Sequence, residues 1–99
     1  MEIRWLNDAL ADVTEIHRYI AVDNPGAAAR IVERIQSAVR RLGDLPHGGR
    51  PGRWRGTREL VIPGTPYIVP YRVKGDLVEI LRIFHGARRW PDDPGETQA

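Results

Sequence analysis

Arginine is the residue type with which this chain can do most: it carries fourteen arginines against one lysine. Arg50, Arg53, Arg55 and Arg58 lead into an apolar stretch, Arg72 and Arg82 lie inside two others, and Arg88-Arg89 follow the last of them. Guanidinium groups hold phosphates and carboxylates through paired N–H donors, and aromatic rings beside them stack on bases or anchor protein interfaces. Trp54 and Trp90 are interleaved with the arginines, and His85 stands three residues before Arg88. The pattern predicts a binding surface built from Arg50, Arg53, Trp54, Arg55, Arg58, Arg82, Arg88, Arg89 and Trp90. Trp54 and Trp90 fall outside the regular stretches and are expected at the surface, whereas Trp5, Tyr67, Tyr71 and Phe84 sit beside aliphatic neighbours and read as core.

Other chemistries find little support. Gly48-Gly49-Arg50-Pro51-Gly52 is glycine-rich, but it lacks the Gly-Lys-Ser/Thr ending and the following helix of a phosphate loop. Ser37 is the single serine and has no acid–base partner near it in sequence, which argues against a serine nucleophile. His17, His47 and His85 fall on a helix, a loop and a strand end, with no ligand spacing among them, so no metal and no cofactor are expected. Zero cysteines exclude a disulfide framework and a thiolate site.

Charge is unevenly spread. Formal net charge is +2 overall, but residues 1–49 carry −1, residues 50–89 carry +6 and residues 90–99 carry −3. A basic second half points toward an anionic partner: nucleic acid, an acidic protein segment or a phosphate-bearing ligand. The 41% hydrophobic and 28% charged composition is that of a globular chain. No apolar run approaches the roughly 18 residues of a membrane span, and the first residues do not read as a secretory signal, so a cytoplasmic location is expected.

The elements that must position these residues are legible in outline. Ile3-Arg4-Trp5 is a short strand, and Asn7 is the expected N-cap of a first helix whose stripe is Leu6, Leu10, Val13, His17 and Ile20, widened by Ala9 and Ile16. That helix should end near Val22. Asp23-Asn24-Pro25 then starts a second, with Asn24 as cap and Pro25 in the first turn. Its buried stripe is Ala28, Ile31, Ile35, Ala38, Val39 and Leu42, and Gly43 is placed at a left-handed C′ position. Residues 44–56 are too rich in Gly and Pro for a regular element. Three strands follow at Thr57–Ile62, Tyr67–Val73 and Leu77–Phe84, joined by short turns into an antiparallel meander. The third is apolar on both faces and reads as central, while Pro70 suits an edge or a bulge. The predicted fold is α+β with the order β-α-α-β-β-β, a helical hairpin laid on a small antiparallel sheet. Residues 1–91 form one domain of about 13 Å radius of gyration. Trp90 to Ala99 lose periodicity, and residues 92–99 read as an acidic, flexible tail.

Several of these segments together resemble one family. Tyr19-Ile20, Asn24-Pro25 with Ala27-Ala28, the Gly-Arg-Pro-Gly loop, Gly56-Thr57-Arg58-Glu59-Leu60, Pro66–Arg72 with Val73, and Val78 to Pro91 with its Ile-Leu-Arg-Ile-x-His-x-x-Arg core resemble the RelE/ParE toxins of bacterial type II toxin–antitoxin modules. The resemblance runs in order over residues 1–91. It implies a cognate acidic antitoxin as partner, a toxin–antitoxin hetero-oligomer and growth arrest as the outcome. Two activities occur in the family. RelE- and YoeB-like members cut messenger RNA on the ribosome without metal, and for that activity the resemblance implies Arg58, His85 and Arg88 as catalytic residues. ParE-like members poison DNA gyrase and are not known as enzymes. Nuclease members carry an arginine immediately before the position of Val69, placed to stabilise the charged transition state, and this chain has Ile68 there. Gly86 to Trp90 also lack the tyrosine that the nucleases place near their C-terminus. The ParE-like branch is therefore the closer resemblance, with no catalytic residues expected and gyrase as target; ribosome and messenger RNA are the alternative.

Overall fold

Asn24 and Pro25 divide the helical half of the chain as expected. In the computed structural model, which describes residues 1–94, the Asn24 side chain accepts a hydrogen bond from the Ala27 N–H at 3.0 Å and Pro25 opens helix α2 (Pro25–Arg40). That arrangement satisfies an orphan donor while the proline forfeits a bond it could not make. Helix α1 (Asn7–Ala21) starts one residue earlier than the sequence suggests: Leu6 is its cap, without a side-chain bond, and Asn7 lies in the first turn. The Leu6 N–H instead reaches the Ile80 carbonyl at 3.0 Å, so the sheet fixes the entry to the helix. The inward face of α1 is Leu6, Ala9, Val13 and Ile16, while Leu10 and His17 are exposed. The stripe is rotated because Asp12 must face inward to pair with Arg82. Helix α2 buries Ala28, Ile35, Ala38 and Val39, close to the expected set. A 3₁₀ turn (Arg41–Gly43) with buried Leu42 extends it, so Gly43 is not the left-handed stop; positive φ among the described residues falls at Gly56, Gly64 and Gly75.

The sheet is mixed rather than antiparallel. Strands β1 (Glu2–Trp5), β2 (Arg50–Pro51), β3 (Arg58–Val61), β4 (Tyr67–Lys74) and β5 (Leu77–Ile80) lie in the order β1-β5-β4-β3-β2. The meander β3-β4-β5 is antiparallel, and β1 adds parallel to β5, with Ile3 beside Val78 and Trp5 beside Ile80. The third predicted strand breaks after Ile80. It resumes as β6 (Phe84–His85), which pairs antiparallel with the start of β4. Tyr71 lies opposite Ile80 and Ile68 opposite Phe84, so two residues of β4, Val69 and Pro70, face three, Leu81 to Ile83. This is a one-residue bulge, and it forms where Pro70 has no N–H to give. Pro70 therefore sits at a bulge of a central strand, not at an edge. The short strand β2 lies within the segment expected to be irregular.

Alternation along the strands sorts the two faces. Leu60, Ile62, Val69, Tyr71, Val78 and Ile80 face the helices and form the main core with Ala9, Ile35, Ala38, Val39 and Leu42. Ile68, Pro70, Glu59 and Glu79 lie on the other face. There the expectation of surface tryptophans fails: Trp54 is 6% and Trp90 7% exposed. Their rings pack on each other at 5.6 Å and on Phe84 at 5.8 and 4.8 Å. Each indole N–H is bonded to a carbonyl, Trp54 to Pro91 at 2.9 Å and Trp90 to His85 at 3.4 Å. A loop with too little periodicity to read as core is thus held down as an aromatic cap, and Trp90 and Pro91 belong to the folded body rather than to a frayed tail. Of the predicted tail, Asp92 to Pro94 carry no regular element and residues 95–99 lie outside the described ones. Among the described residues no helix is long and apolar enough to cross a membrane.

Candidate functional site

Most of the predicted arginine surface is tied to the protein's own acceptors. Glu59, central on β3 and 3% exposed, receives the Arg50 side chain at 3.1 Å, and the Arg53 backbone N–H and side chain at 2.9 and 3.0 Å. Burial alone would raise this carboxyl, but the hydrogen bonds from Arg53 and Arg50 outweigh it and hold the group below its ordinary range. The Arg53 guanidinium also lies 3.5 Å over the Trp90 ring, joining the ion cluster to the aromatic cap. Arg72 pairs with buried Glu79 at 2.6 Å. Arg82 forms a two-pronged bond with Asp12 at 2.8 and 3.1 Å, which keeps it protonated and ties α1 to the sheet, and Asp12 accepts the Ile83 N–H as well. Arg58 donates to the Gly49 and His47 carbonyls at 2.9 and 3.3 Å.

The carboxylates that organise this set were missed in the sequence. Glu59 and Glu79 alternate with apolar residues at their strand positions, the one signal that places them on a shared face; Asp12 gave none, because its partner is 70 residues away. Arg55, Arg88 and Arg89 make no ion pair among the described residues and are exposed. They are the exposed members of the predicted surface that no carboxylate among the described residues matches.

The nuclease alternative names Arg58, His85 and Arg88, and the fold separates them. His85 and Arg88 line one cleft of about 450 Å³, between α1 and the start of β4, with Glu15, Tyr19, Pro66 and Tyr67. Arg58 lines another hollow, with His47, Thr57 and Val73. In the cleft the His85 Nδ1 accepts the Ala87 N–H at 3.2 Å, so in the neutral ring the proton sits on Nε2. The Tyr67 ring lies edge-on to it at 6.0 Å. Burial pushes the Tyr67 phenol up from its ordinary value, with Arg88 opposing the shift and Tyr19 adding to it, so the hydroxyl is a donor at neutral pH. Ile68 is on the opposite face from His85, beside Phe84, and a methyl group on Gly86 would stand 2.9 Å from its Cδ1. The position that nuclease relatives are expected to fill with arginine is thus occupied by an aliphatic side chain packed under a glycine. No cluster of three or more His, Asp or Glu that could hold a metal occurs among the described residues.

Comparisons with known proteins agree with the order of elements. Residues 3–90 match the family described as the ParE toxin of type II toxin–antitoxin systems, parDE. Y4kP of Sinorhizobium fredii is 52% identical over 89 residues, spanning 90% of this chain and 92% of that protein. Toxin RelE2 of Caulobacter vibrioides is 38% identical over 87 residues, spanning 88% and 97%. Among solved structures, a chain of the chromosomal ParDE TA system from P. aeruginosa superposes with a TM-score of 0.77 at 33% identity, covering 86% of this chain and 95% of that one. The helical hairpin on a mixed sheet, the match over nearly the whole chain and relatives that include RelE-named toxins lead to one assignment: the chain belongs to the ParE family of toxins of type II toxin–antitoxin systems.

Proposed function

We propose that this toxin arrests growth by binding DNA gyrase rather than by cutting RNA, and that an acidic antitoxin neutralises it. The observation that carries the reading is Ile68. An isoleucine under Gly86, on the face closed by Trp54, Phe84 and Trp90, offers neither charge nor a donor to a phosphoryl oxygen. Losing such a donor typically costs a nuclease about 10²- to 10³-fold in rate. Arg58 stands apart from His85 and Arg88, so the remaining candidates do not converge on one phosphate. The antitoxin is supported by family membership and by the exposed arginines. Their partner would be an acidic segment.

One observation favours the ribonuclease instead: His85, Tyr67 and Arg88 share a cleft, an arrangement able to hold a proton donor beside a guanidinium. Two assays separate the readings. The purified toxin is expected to inhibit gyrase supercoiling or trap cleaved DNA, and His85→Ala is expected to leave growth arrest within a few-fold of wild type. Primer extension on messengers from arrested cells should show no codon-phased cuts. Normal supercoiling at large molar excess of folded toxin, or phased cuts that vanish with His85→Ala, would transfer the assignment to the nuclease.

A further inference from the structure

The sheet ends in two unlike edges. At one, β2 is a two-residue strand containing Pro51, which has no N–H to offer, so that edge is blunted. At the other, β1 (Glu2-Ile3-Arg4-Trp5) contains no proline, glycine or lysine and runs in unbroken register with β5, from Glu2 beside Leu77 to Trp5 beside Ile80. Backbone groups alternate sides along a strand, and the Leu6 N–H reaches the Ile80 carbonyl at 3.0 Å, so the even-numbered residues of β1 address β5. The N–H and C=O groups of Ile3 and Trp5 therefore point away from the sheet, where no further strand lies among the described residues. Helix α1 runs inward from this edge: its Asp12 bonds Arg82, and its Glu15 and Tyr19 line the cleft at the start of β4. The start of the chain is held in place by the Met1 ammonium, which donates to the Gly43 carbonyl at 2.8 Å. Ile3 and Trp5 turn their side chains toward the core and are half-buried, whereas Glu2 and Arg4 are exposed and make no ion pair among the described residues.

We infer that β1 pairs antiparallel with β1 of a second copy of this chain, with Ile3 opposite Ile3 at a twofold axis and the two sheets joined into one. The strand itself selects the partner and the register. Because the outward backbone groups belong to odd-numbered residues, an antiparallel copy has few places to centre. Centring on Trp5 would run the second strand into helix α1, which begins at Asn7. Centring on Glu2 sets carboxylate against carboxylate, and centring on Arg4 sets guanidinium against guanidinium, both unfavourable at directly opposed positions. Centred on Ile3, each Glu2 faces the Arg4 of the other copy, so opposite charges meet on both sides of the axis. The Ile3 residues then exchange their N–H and C=O bonds, and the half-exposed Met1 comes alongside the other copy's Trp5. A uniformly acidic segment fits this edge less well, because it would bring a carboxylate against Glu2. The arrangement is closed by its own symmetry, since the same patch serves both copies. The joint is only four residues long on each side, which places it among weak, reversible interfaces rather than large obligate ones.

Sedimentation equilibrium of the purified full chain from about 1 to 500 μM, with amide exchange at both ends of that range, tests the pairing. A monomer–dimer equilibrium with Kd on the order of 10–100 μM is expected, with exchange of the Ile3 and Trp5 amides slowing as the dimer fills. Glu2→Arg alone and Arg4→Glu alone should each raise Kd by at least about 10-fold, because each reversal sets like charges against one another on both sides of the axis. Mixed together, the two variants should recover a Kd within about threefold of wild type, since each introduced charge then meets its opposite. Ile3→Pro should prevent pairing, because it removes the central N–H without removing a bond to β5. Circular dichroism checks folding, and as Glu2 and Arg4 are exposed, the reversals decide the matter even if the proline variant does not fold. A chain that stays monomeric at about 500 μM with a freely exchanging Ile3 amide overturns the proposal. So does a dimer that neither reversal weakens, or a mixture of the two variants that fails to recover. If the Ile3 amide is protected only once the protein encoded by the adjoining open reading frame is added, a segment of that protein occupies the edge and the pairing of copies falls.

Discussion

A single buried carboxylate holds more of this toxin's basic segment than its charge suggests. Glu59 accepts from Arg50 and from both the backbone and the side chain of Arg53, so one carboxylate serves both guanidiniums. Glu59→Gln keeps the shape but removes the charge, and it should cost roughly 1–3 kcal/mol at neutral pH, measured by urea unfolding. The pH dependence has a definite sign. The folded carboxyl lies below its ordinary 4.5, so its contribution is present above that value and is lost as pH falls through the folded one. The wild type should lose stability faster than Glu59→Gln below about pH 4.5, and parallel acid profiles for the two proteins would refute this role. At this scale the sequence was informative about residue type and silent about partner. The arginines were legible as a set, but a guanidinium paired inside the fold and one facing solvent look the same in a string of letters. Only the register that puts Glu59 among them tells the two apart.

The elements show the same division. The turn at Asn24-Pro25 and the stripe of α2 could be read because the determinants are local: a capping side chain, a proline with no N–H, and apolar residues every three or four positions. What could not be read depends on contacts distant in sequence. Leu6 displaces Asn7 as cap because Ile80 binds its N–H, the bulge after Ile80 appears only when Pro70 lies opposite, and the aromatic cap needs Trp54 and Trp90 brought together across 36 residues. The C-terminal segment is consequently part of the fold, which separates two effects that would be confounded in a toxicity screen. Trp90→Ala should destabilise by about 3 kcal/mol, since it empties a packed aromatic site and removes the ring under Arg53. The double variant Arg88→Glu, Arg89→Glu should shift stability by no more than about 0.5 kcal/mol, because both side chains are exposed and unpaired among the described residues. Thermal melts distinguish them: loss of growth arrest in the charge variant with an unchanged Tm marks a target contact. Equal melts for Trp90→Ala and wild type would mean that the aromatic cap is not part of the stable fold.

As a whole the molecule is a thin body: a Cα radius of gyration of 12.9 Å, two helices on one face of a short sheet and a cap on part of the other. Chains of this size bury a modest core, and a partner that binds only the folded state adds stability by mass action. At free antitoxin a thousandfold above Kd the gain is about 4 kcal/mol, which for a domain of this length raises Tm by some 15–30 °C. The internal pairing also decides what salt should do. Arg50, Arg53, Arg72 and Arg82 are held by Glu59, Glu79 and Asp12, but Glu59 and Glu79 are already counted in the +6 of residues 50–89 and Asp12 lowers it only to +5, so a strong positive charge remains for steering, on exposed cations such as Arg55, Arg88 and Arg89. Charges of that kind act on encounter more than on a docked complex whose contacts are mainly apolar. Raising ionic strength from about 0.05 to 0.5 M should therefore slow association by roughly 10-fold and change dissociation by less than about threefold. Stopped-flow mixing with the protein of the adjoining open reading frame reads both rates. An association rate indifferent to salt would remove the electrostatic part of this account. A dissociation rate that climbed steeply with salt would show that ion pairs, not apolar contacts, hold the complex together.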